Sequence, residues 1–298
     1  MPSQTDDRSG SWKPPDRSTS PFASLYRRAR ETLLTVPVGD REIETADGPV
    51  HLLTAGDPAS PPLVVLQGAN VTNPVTLSWF QSLADEYYVL APDTPGEPAI
   101  RERAPPADYG RWVESVLDGL ELDAAPVVGV SHGGGVLLEA AATVPDRLTA
   151  AALVVPAGFG ISPSTSLARV VGLSLAYRLC PRERLLAAAL GPLFTTPVSD
   201  LDPVVRETVA QALRTADVKT GFPGPDGPAA LAGFDAPTLL IAGEKDPFFP
   251  AAWLHQRSTS FLPTETKRVT LADERHFPSV AGQQTVAQRV RSFFASNG

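Results

Sequence analysis

Short apolar runs alternate with longer amphipathic stretches along most of the chain. The short runs are rich in Val, Leu and Ala and are bounded by Pro, Gly or Asp, which is typical of strands buried in a sheet. Predicted strands cover residues 41–45, 50–54, 63–67, 87–91, 127–130, 151–155, 237–243 and 267–271. The first two of these strands are joined by a turn at Ala46-Asp47-Gly48.

The amphipathic stretches place apolar residues three and four positions apart, which predicts helices. In the stretch that begins near Asp108, the apolar face comprises Trp112, Val113, Val116, Leu117 and Leu120. Other predicted helices cover residues 22–34, 77–86, 136–142, 167–179, 182–190, 204–213, 250–258 and 285–294. Strands and helices alternating on this scale indicate an α/β fold with a mostly parallel twisted sheet covered by helices on both faces.

One long stretch, residues 156–234, breaks this alternation because Pro- and Gly-rich segments separate its helical patterns and it contains no good strand. We interpret it as a helical cap inserted above the sheet, although ordinary sheet-covering helices would give a similar pattern. The insertion divides the α/β core into residues 22–155 and 235–298. Residues 1–21 are rich in Ser, Asp, Pro and basic residues, so we expect a disordered tail.

Composition narrows the class of protein. A chain of 298 residues with 43% hydrophobic residues suits a large globular unit, and a net charge of −8 disfavours nucleic acid as a partner. The single cysteine, Cys180, cannot form an internal disulfide and suggests no metal site. Because no apolar run is long enough to span a membrane and no secretory signal is visible, we expect a cytoplasmic protein. The oligomeric state stays open.

A serine stands at the junction of a predicted strand and a predicted helix. The residues around it, 129–133, read G-V-S-H-G and fit the G-x-S-x-G nucleophile elbow. Such a turn brings strand and helix so close that Gly129 and Gly133 are needed where side chains would clash. It would also lift the Ser131 hydroxyl above the sheet and aim the N–H of His132 at the attacked group. A Gly-rich turn without catalytic function would share this motif, so the interpretation depends on the rest of the chain.

A serine nucleophile needs a base within hydrogen-bond reach, and the chain has four histidines. His51 lies inside a predicted strand and His255 in the middle of a predicted helix, which are typical structural positions. The side chain of His132 would point away from the serine in a turn of this kind. His276 lies in the loop between the last strand and the last helix, at the edge of the sheet beside the elbow. We therefore predict His276 as the base.

The acid that orients this base should come from another loop at the carboxyl end of a strand. Asp246 follows the predicted strand 237–243 and lies late enough in its loop to turn back toward His276. Glu244 is the local alternative but is expected to face solvent. Asp93 also follows a strand, although a carboxylate that fixes the neighbouring Pro-Gly turn explains it better. The chain order serine, aspartate, histidine is the order typical of the elbow motif.

The negative charge that develops on a substrate oxygen requires preorganised hydrogen-bond donors. The backbone N–H of His132 is one candidate, and the loop after the strand 63–67 offers the N–H of Ala69 as the second. Asn70 would add a side-chain donor or line the pocket. No step of this chemistry requires a cofactor or a metal ion.

These residues together resemble the α/β-hydrolase fold superfamily, and within it the chain is similar to small bacterial serine carboxylesterases. The resemblance runs from the helix near Tyr26 to the last residue. It is carried by the elbow and by segments 61–68, 88–93, 145–147, 156–158, 243–247 and 276–278, with Trp79, Tyr109 and Trp112. The resemblance implies that the insertion is a substrate cap. It also implies a triad of Ser131, Asp246 and His276, with Ala69 and His132 as oxyanion donors.

Two positions depart from the pattern of the relatives. Relatives usually carry His before the glycine of the first loop, where this chain has Gln67, so the hydrogen bonds inside that loop must differ. Relatives often have Gly before the catalytic histidine, where this chain has Arg275. That side chain would guard the pocket mouth, pair with Glu274 or Asp273, or simply be solvated, and we favour the last of these.

The expected function is hydrolysis of hydrophobic carboxylic esters through an acyl-enzyme on Ser131. The substrate would be a small molecule of modest size in an apolar pocket. Candidates for the pocket wall are Leu173, Leu175, Tyr177, Leu186 and Phe194. The same triad would also serve a lactonase, a C–C bond hydrolase or a cofactor-free haloperoxidase-like enzyme, and a non-catalytic ligand-binding protein of this fold is the alternative from another class. Dehalogenases and epoxide hydrolases are disfavoured because they carry Asp where Ser131 stands.

Overall fold

The computed structural model describes residues 20–215 and 222–297. Within these ranges, the strands form one sheet, and every strand predicted from the sequence is present with its ends shifted by a few residues. In chain order the strands are β1 (Val38–Ile43), β2 (Val50–Ala55), β3 (Pro62–Leu66), β4 (Tyr88–Pro92), β5 (Ala125–Val130), β6 (Leu148–Val154), β7 (Thr238–Gly243) and β8 (Lys267–Leu271).

The helices of the described residues also follow the predicted order. They are α1 (Ala23–Leu33), α2 (Asn73–Phe80), α3 (Tyr109–Gly119), α4 (His132–Thr143), α5 (Thr165–Leu179), α6 (Glu183–Leu190), α7 (Pro203–Thr215), α8 (Ala251–Ser258) and α9 (Val280–Phe294). The predicted helix 77–86 was placed too late, since α2 begins at Asn73 and a 3₁₀ helix follows it over Gln81–Asp85. Helix α9 begins earlier than predicted because the Ser279 hydroxyl caps it, accepting the N–H of Gly282 at 3.1 Å. None of these helices is both long and apolar enough to cross a membrane.

The order of strands in the sheet is β1-β2-β4-β3-β5-β6-β7-β8. Strand β2 runs antiparallel to both of its neighbours, β1 and β4, and all other adjacent pairs are parallel. The carboxyl ends of β3, β5, β7 and β8 therefore lie at one edge of the sheet. The loops that leave these four ends contain the residues predicted from the sequence as catalytic.

Two apolar cores, one on each face of the sheet, explain why the central strands read as continuous apolar runs. In β3, Val64 and Leu66 pack into a core with helices α3, α4 and α8. The alternate residues Leu63 and Val65 pack into the other core with α2 and α9. The predicted α/β class with helices on both faces is confirmed.

Between β6 and β7 the described residues form helices α5, α6 and α7 and no strand. Their apolar residues share a third core with α1 and with the start of α2. A core of 22–155 and 235–298 with a cap of 156–234 stays a prediction. The predicted tail, residues 1–21, lies outside the described residues except for its last two. Of these, Ser20 is buried and its N–H donates to the carbonyl of Ile100 at 3.4 Å.

A buried polar network closes the antiparallel side of the sheet around His51. Its Nδ1 lies 3.0 Å from a carboxylate oxygen of Asp93, and its Nε2 lies 3.0 Å from one of Asp40. The hydroxyl of Tyr26 donates to Asp93 at 2.9 Å. Asp93 also accepts the N–H of Ile100 at 3.4 Å, so it ties the loop that contains Pro95 and Gly96 to this network. Burial alone would lower the pKa of His51, but the two carboxylates outweigh burial and raise it to about 9.

The raised pKa of His51 predicts that the protein loses stability in mild alkali. The folded state binds this proton more tightly than the unfolded state, whose pKa is 6.5, so the stabilisation is complete below pH 6.5 and is lost as pH rises through about 9. The loss should be on the order of 3 kcal/mol. Guanidinium unfolding at pH 6.5 and pH 10 measures it, and NMR titration of the imidazole reports the pKa directly. His255→Gln is the control and should show the same pH dependence as the wild type. Burial and then Arg268 lower the pKa of His255, so this histidine stays neutral between pH 6.5 and pH 10.

Candidate active site

Ser131 occupies the turn between β5 and α4 in a backbone conformation that few residues adopt. Its φ is +50° and its ψ is −111°. The turn is fixed from both sides, since the N–H of Ser131 donates to the carbonyl of Val154 at 2.9 Å. The carbonyl of Ser131 accepts the N–H groups of Gly134 and Ala157, each at 2.9 Å. These bonds hold the strained conformation that the elbow motif predicts.

The two motif glycines stand where backbone segments touch. A Cβ atom at Gly129 would lie 2.4 Å from the carbonyl oxygen of Gly133. A Cβ atom at Gly133 would lie 2.4 Å from the carbonyl oxygen of Leu66, at the end of β3. Real Cβ atoms do not approach so closely, so the expectation that the elbow leaves no room for side chains here is confirmed.

The structure brings together the three residues that the sequence predicted as a triad. Nε2 of His276 lies 2.9 Å from the hydroxyl oxygen of Ser131, and its Nδ1 lies 2.7 Å from Oδ2 of Asp246. The other oxygen of Asp246 accepts the N–H groups of Phe248 at 2.8 Å and Phe249 at 3.0 Å. All three side chains are buried. Two backbone donors thus anchor the carboxylate, the carboxylate anchors the imidazole, and the imidazole reaches the hydroxyl.

The rival residues considered from the sequence lie elsewhere. Glu244 is exposed and accepts the N–H of Asp273 at 2.8 Å. Nε2 of His132 lies 3.4 Å from a carboxylate oxygen of Glu97. No group of three or more His, Cys, Asp or Glu side chains within residues 20–215 and 222–297 is arranged to hold a metal ion.

The loop after β3 is organised by Gln67. Its amide nitrogen donates to the carbonyls of Val71 at 3.0 Å and Pro98 at 3.1 Å. Its amide oxygen accepts the N–H of Thr94 at 3.1 Å. The fully buried glutamine therefore closes its own loop and ties it to the loop after β4.

The backbone N–H groups of the next three residues, 68–70, differ in their hydrogen-bond partners. The N–H of Gly68 donates to the Thr76 hydroxyl at 3.2 Å, and the N–H of Asn70 donates to Glu97 at 2.9 Å. Asn70 adopts a left-handed conformation, with φ of +62°. Among the residues that the structure describes, none accepts a hydrogen bond from the N–H of Ala69. This group is therefore available to a substrate, as an oxyanion donor must be.

Two cavities of very different size open beside Ser131 and His276. The larger has a volume of about 350 Å³ and lies beneath α5 and α7. Its apolar wall includes Val170, Val171, Leu175, Leu193, Val209, Leu213, Phe222, Phe248, Phe249 and Phe277. Ala69 and Asn70 also line it, which agrees with the expected pocket position of Asn70. The smaller leaves about 20 Å³ for the centre of a water-sized group and is bounded by Val71, Val75, Thr76, Trp79, Val130 and Val155.

The pocket wall was predicted only in part. Of the five residues suggested from the sequence, Leu175 lines the larger cavity and Leu173 lies outside its wall. Tyr177, Leu186 and Phe194 belong to the third core, which α5, α6 and α7 share with α1. The sequence analysis missed Phe248 and Phe249, which flank His276 with ring centroids 5.1 Å and 5.8 Å away. The signal was available, because an apolar pair two and three positions after Asp246 lies close to the group that this aspartate contacts.

Arg275 has a role that none of the sequence interpretations described. Its guanidinium donates to the carbonyl of Gly191 at 2.6 Å, and its N–H donates to the hydroxyl of Thr195 at 2.8 Å. Asp273 pairs with Lys245 instead. The side chain thus satisfies a carbonyl at the end of α6 and ties the histidine loop to the segment that follows α6, so the favoured picture of a solvated arginine is wrong.

Comparison with known proteins agrees with this fold. The sequence matches the model of the Alpha/beta hydrolase family over residues 63–289. The chain belongs to this family. It is 22% identical over 268 residues to carboxylesterase YbfK of Bacillus subtilis, covering 84% of this chain and 86% of that protein. It is 25% identical over 298 residues to the uncharacterized carboxylesterase nap of the same species, covering 90% and 91%. The crystal structure of naproxen esterase from Bacillus subtilis superposes with a TM-score of 0.75 at 21% identity, covering 92% of this chain and 96% of that chain.

Proposed function

We propose that this member of the alpha/beta hydrolase family is a serine carboxylesterase that acts through an acyl-enzyme on Ser131. The observation that carries the proposal is the continuous pair of hydrogen bonds from Asp246 through His276 to Ser131, at 2.7 Å and 2.9 Å. The relatives named as carboxylesterases support the same reaction class.

The proposed reaction follows from the positions of these groups. The Ser131 oxygen attacks the ester carbonyl while Nε2 of His276 takes the hydroxyl proton. The N–H groups of Ala69 and His132 stabilise the oxyanion. His276 then gives the proton to the leaving alkoxide, and a water molecule attacks the acyl-enzyme by the same route. Asp246 keeps the proton of the ring on Nδ1 and stabilises the imidazolium.

Hydrolysis of a p-nitrophenyl ester series, from acetate to long acyl chains, tests the proposal. We expect turnover, and we expect a fluorophosphonate to label Ser131. Labelling without turnover of any member would indicate a different substrate, such as a lactone or a C–C bond substrate. Absence of both turnover and labelling would indicate a ligand-binding protein and would contradict the proposal.

The two cavities suggest a substrate with unequal halves. A site for one water molecule needs about 10–15 Å³ of space for its centre, so the smaller cavity of about 20 Å³ fits a group near the size of methyl. The larger cavity, at about 350 Å³ and mostly apolar, fits a bulky hydrophobic group. The proposed substrate is therefore a hydrophobic ester. One of its two halves, acyl or alcohol, is small and the other is bulky.

Widening the smaller cavity should relax this limit. Val75 is 3% exposed and lines only the smaller cavity, and Val170 is 4% exposed and lines only the larger one. Val75→Ala should raise kcat/KM about tenfold for esters one or two carbons longer in the small half, because buried methyl groups are worth roughly 1 kcal/mol each. Val170→Ala is the matched control and should leave the limit in place. Acyl-chain and alcohol-chain series measured separately show which half is limited, and equal tolerance of long chains in both halves would contradict the assignment.

A further inference from the structure

Glu97 lies buried between the two backbone segments that supply the proposed oxyanion donors. One of its carboxylate oxygens accepts the N–H of Asn70, the residue after Ala69, at 2.9 Å. The other lies 3.4 Å from Nε2 of His132. The Glu97 side chain is 2% exposed. A carboxylate removed from water in this way must be satisfied by protein groups, so these contacts hold it firmly.

From this geometry we infer that Glu97 is a positioning residue for the oxyanion hole, an inference that rests on the ester hydrolysis proposed above. The left-handed conformation of Asn70 is uncommon for a residue with a side chain, and the bond to Glu97 holds the peptide group that follows Ala69. On the other side of Ala69, the hydrogen bond from the N–H of Gly68 to the Thr76 hydroxyl holds the peptide group between Gln67 and Gly68. With both neighbours tied, the N–H of Ala69 keeps one direction.

The segment that carries Glu97 is itself held in place. Gly96 has φ of +81°, and its N–H donates to the carbonyl of Arg103 at 2.8 Å. The N–H of Glu97 donates to the carbonyl of Thr94 at 3.2 Å, while the N–H of Thr94 donates to Gln67 at 3.1 Å. Glu97 therefore links a fixed turn to both sides of the oxyanion hole, which is the rigidity that preorganised donors need.

Kinetics of two substitutions test this role. Glu97→Ala should lower kcat about 10- to 100-fold with KM within about threefold, because a displaced donor weakens the transition state more than the bound substrate. Glu97→Gln keeps an oxygen that accepts from Asn70 and should stay within about fivefold of the wild type. A trifluoromethyl ketone gives a second readout. The Ser131 oxygen adds to its carbonyl carbon, the serine proton passes to His276, and the carbonyl electron pair becomes an oxyanion in the hole. The affinity of the Glu97→Ala variant for this ketone should fall by the same factor as its kcat.

Glu139 provides the matched control, since it is a partly buried glutamate that accepts two backbone N–H groups, from Tyr109 at 3.1 Å and Gly224 at 2.8 Å. Glu139→Ala should lower Tm and leave kcat within about threefold. Turnover and labelling of the wild type are established first, so failure of the proposed function is recognised separately. In an active wild type, the inference is overturned if Glu97→Ala keeps kcat and ketone affinity within threefold. It is also overturned if the Gln and Ala variants lose kcat equally, or if Glu139→Ala loses as much as Glu97→Ala.

Discussion

Ser131→Ala should lower kcat/KM for any p-nitrophenyl ester that the wild type hydrolyses by about 10⁴- to 10⁶-fold. The substitution removes the hydroxyl oxygen that lies 2.9 Å from Nε2 of His276. It leaves both proposed oxyanion donors in place. The residual rate would then come from those donors and from substrate binding alone. Fluorophosphonate labelling should disappear together with turnover.

A second buried serine separates loss of the nucleophile from loss of structure. The hydroxyl of Ser115 donates to the carbonyl of Trp112 at 2.9 Å within α3, and Ser115 is 9% exposed. Ser115→Ala should keep kcat/KM within about threefold. Both variants should unfold within a few degrees of the wild type, because each loses a single hydrogen bond. If Ser131→Ala retained more than about a tenth of the activity, another group would have to be the nucleophile.

The three residues of the proposed triad were predictable because parallel strands end at a common edge of the sheet. A serine after β5, an aspartate after β7 and a histidine after β8 all lie in loops that start at this edge, which places them near one another. The sequence motif supplied the serine and its two glycines, and the position of each strand end supplied Asp246 and His276. Their catalytic roles stay predictions that the substitutions described here test.

The contacts that the sequence did not reveal all join segments far apart in the chain. The partner of Arg275 is a carbonyl 84 positions earlier, and Glu97 meets Asn70 across 27 positions. Both depend on how irregular loops pack, and residue type and periodicity carry no information about that. Helix α5 illustrates the same limit. Val171 and Leu175 are exposed large apolar residues while Val170 is buried, so apolar positions around this helix do not identify the face that lines the cavity.

Asp246→Asn should lower kcat/KM about 10⁴-fold although it changes one atom. Oδ1 of Asp246 accepts two backbone N–H groups, so the amide oxygen of the asparagine takes that place and its NH₂ group faces Nδ1 of His276. The amide then donates to Nδ1, which forces the ring proton onto Nε2. A protonated Nε2 points at the hydroxyl of Ser131 and cannot accept its proton, so general-base catalysis stops while the packing is kept.

A Glu244→Gln variant shows whether this loss is specific to Asp246 or follows from removing any negative charge in the loop. It lies two positions from Asp246 and is exposed, and its contact is the N–H of Asp273 at 2.8 Å. Glu244→Gln keeps an acceptor for that N–H and changes the net charge as Asp246→Asn does, so kcat/KM should stay within about threefold. A larger loss from Glu244→Gln than from Asp246→Asn would transfer the orienting role to Glu244. Equal small losses would mean that His276 works without a carboxylate partner.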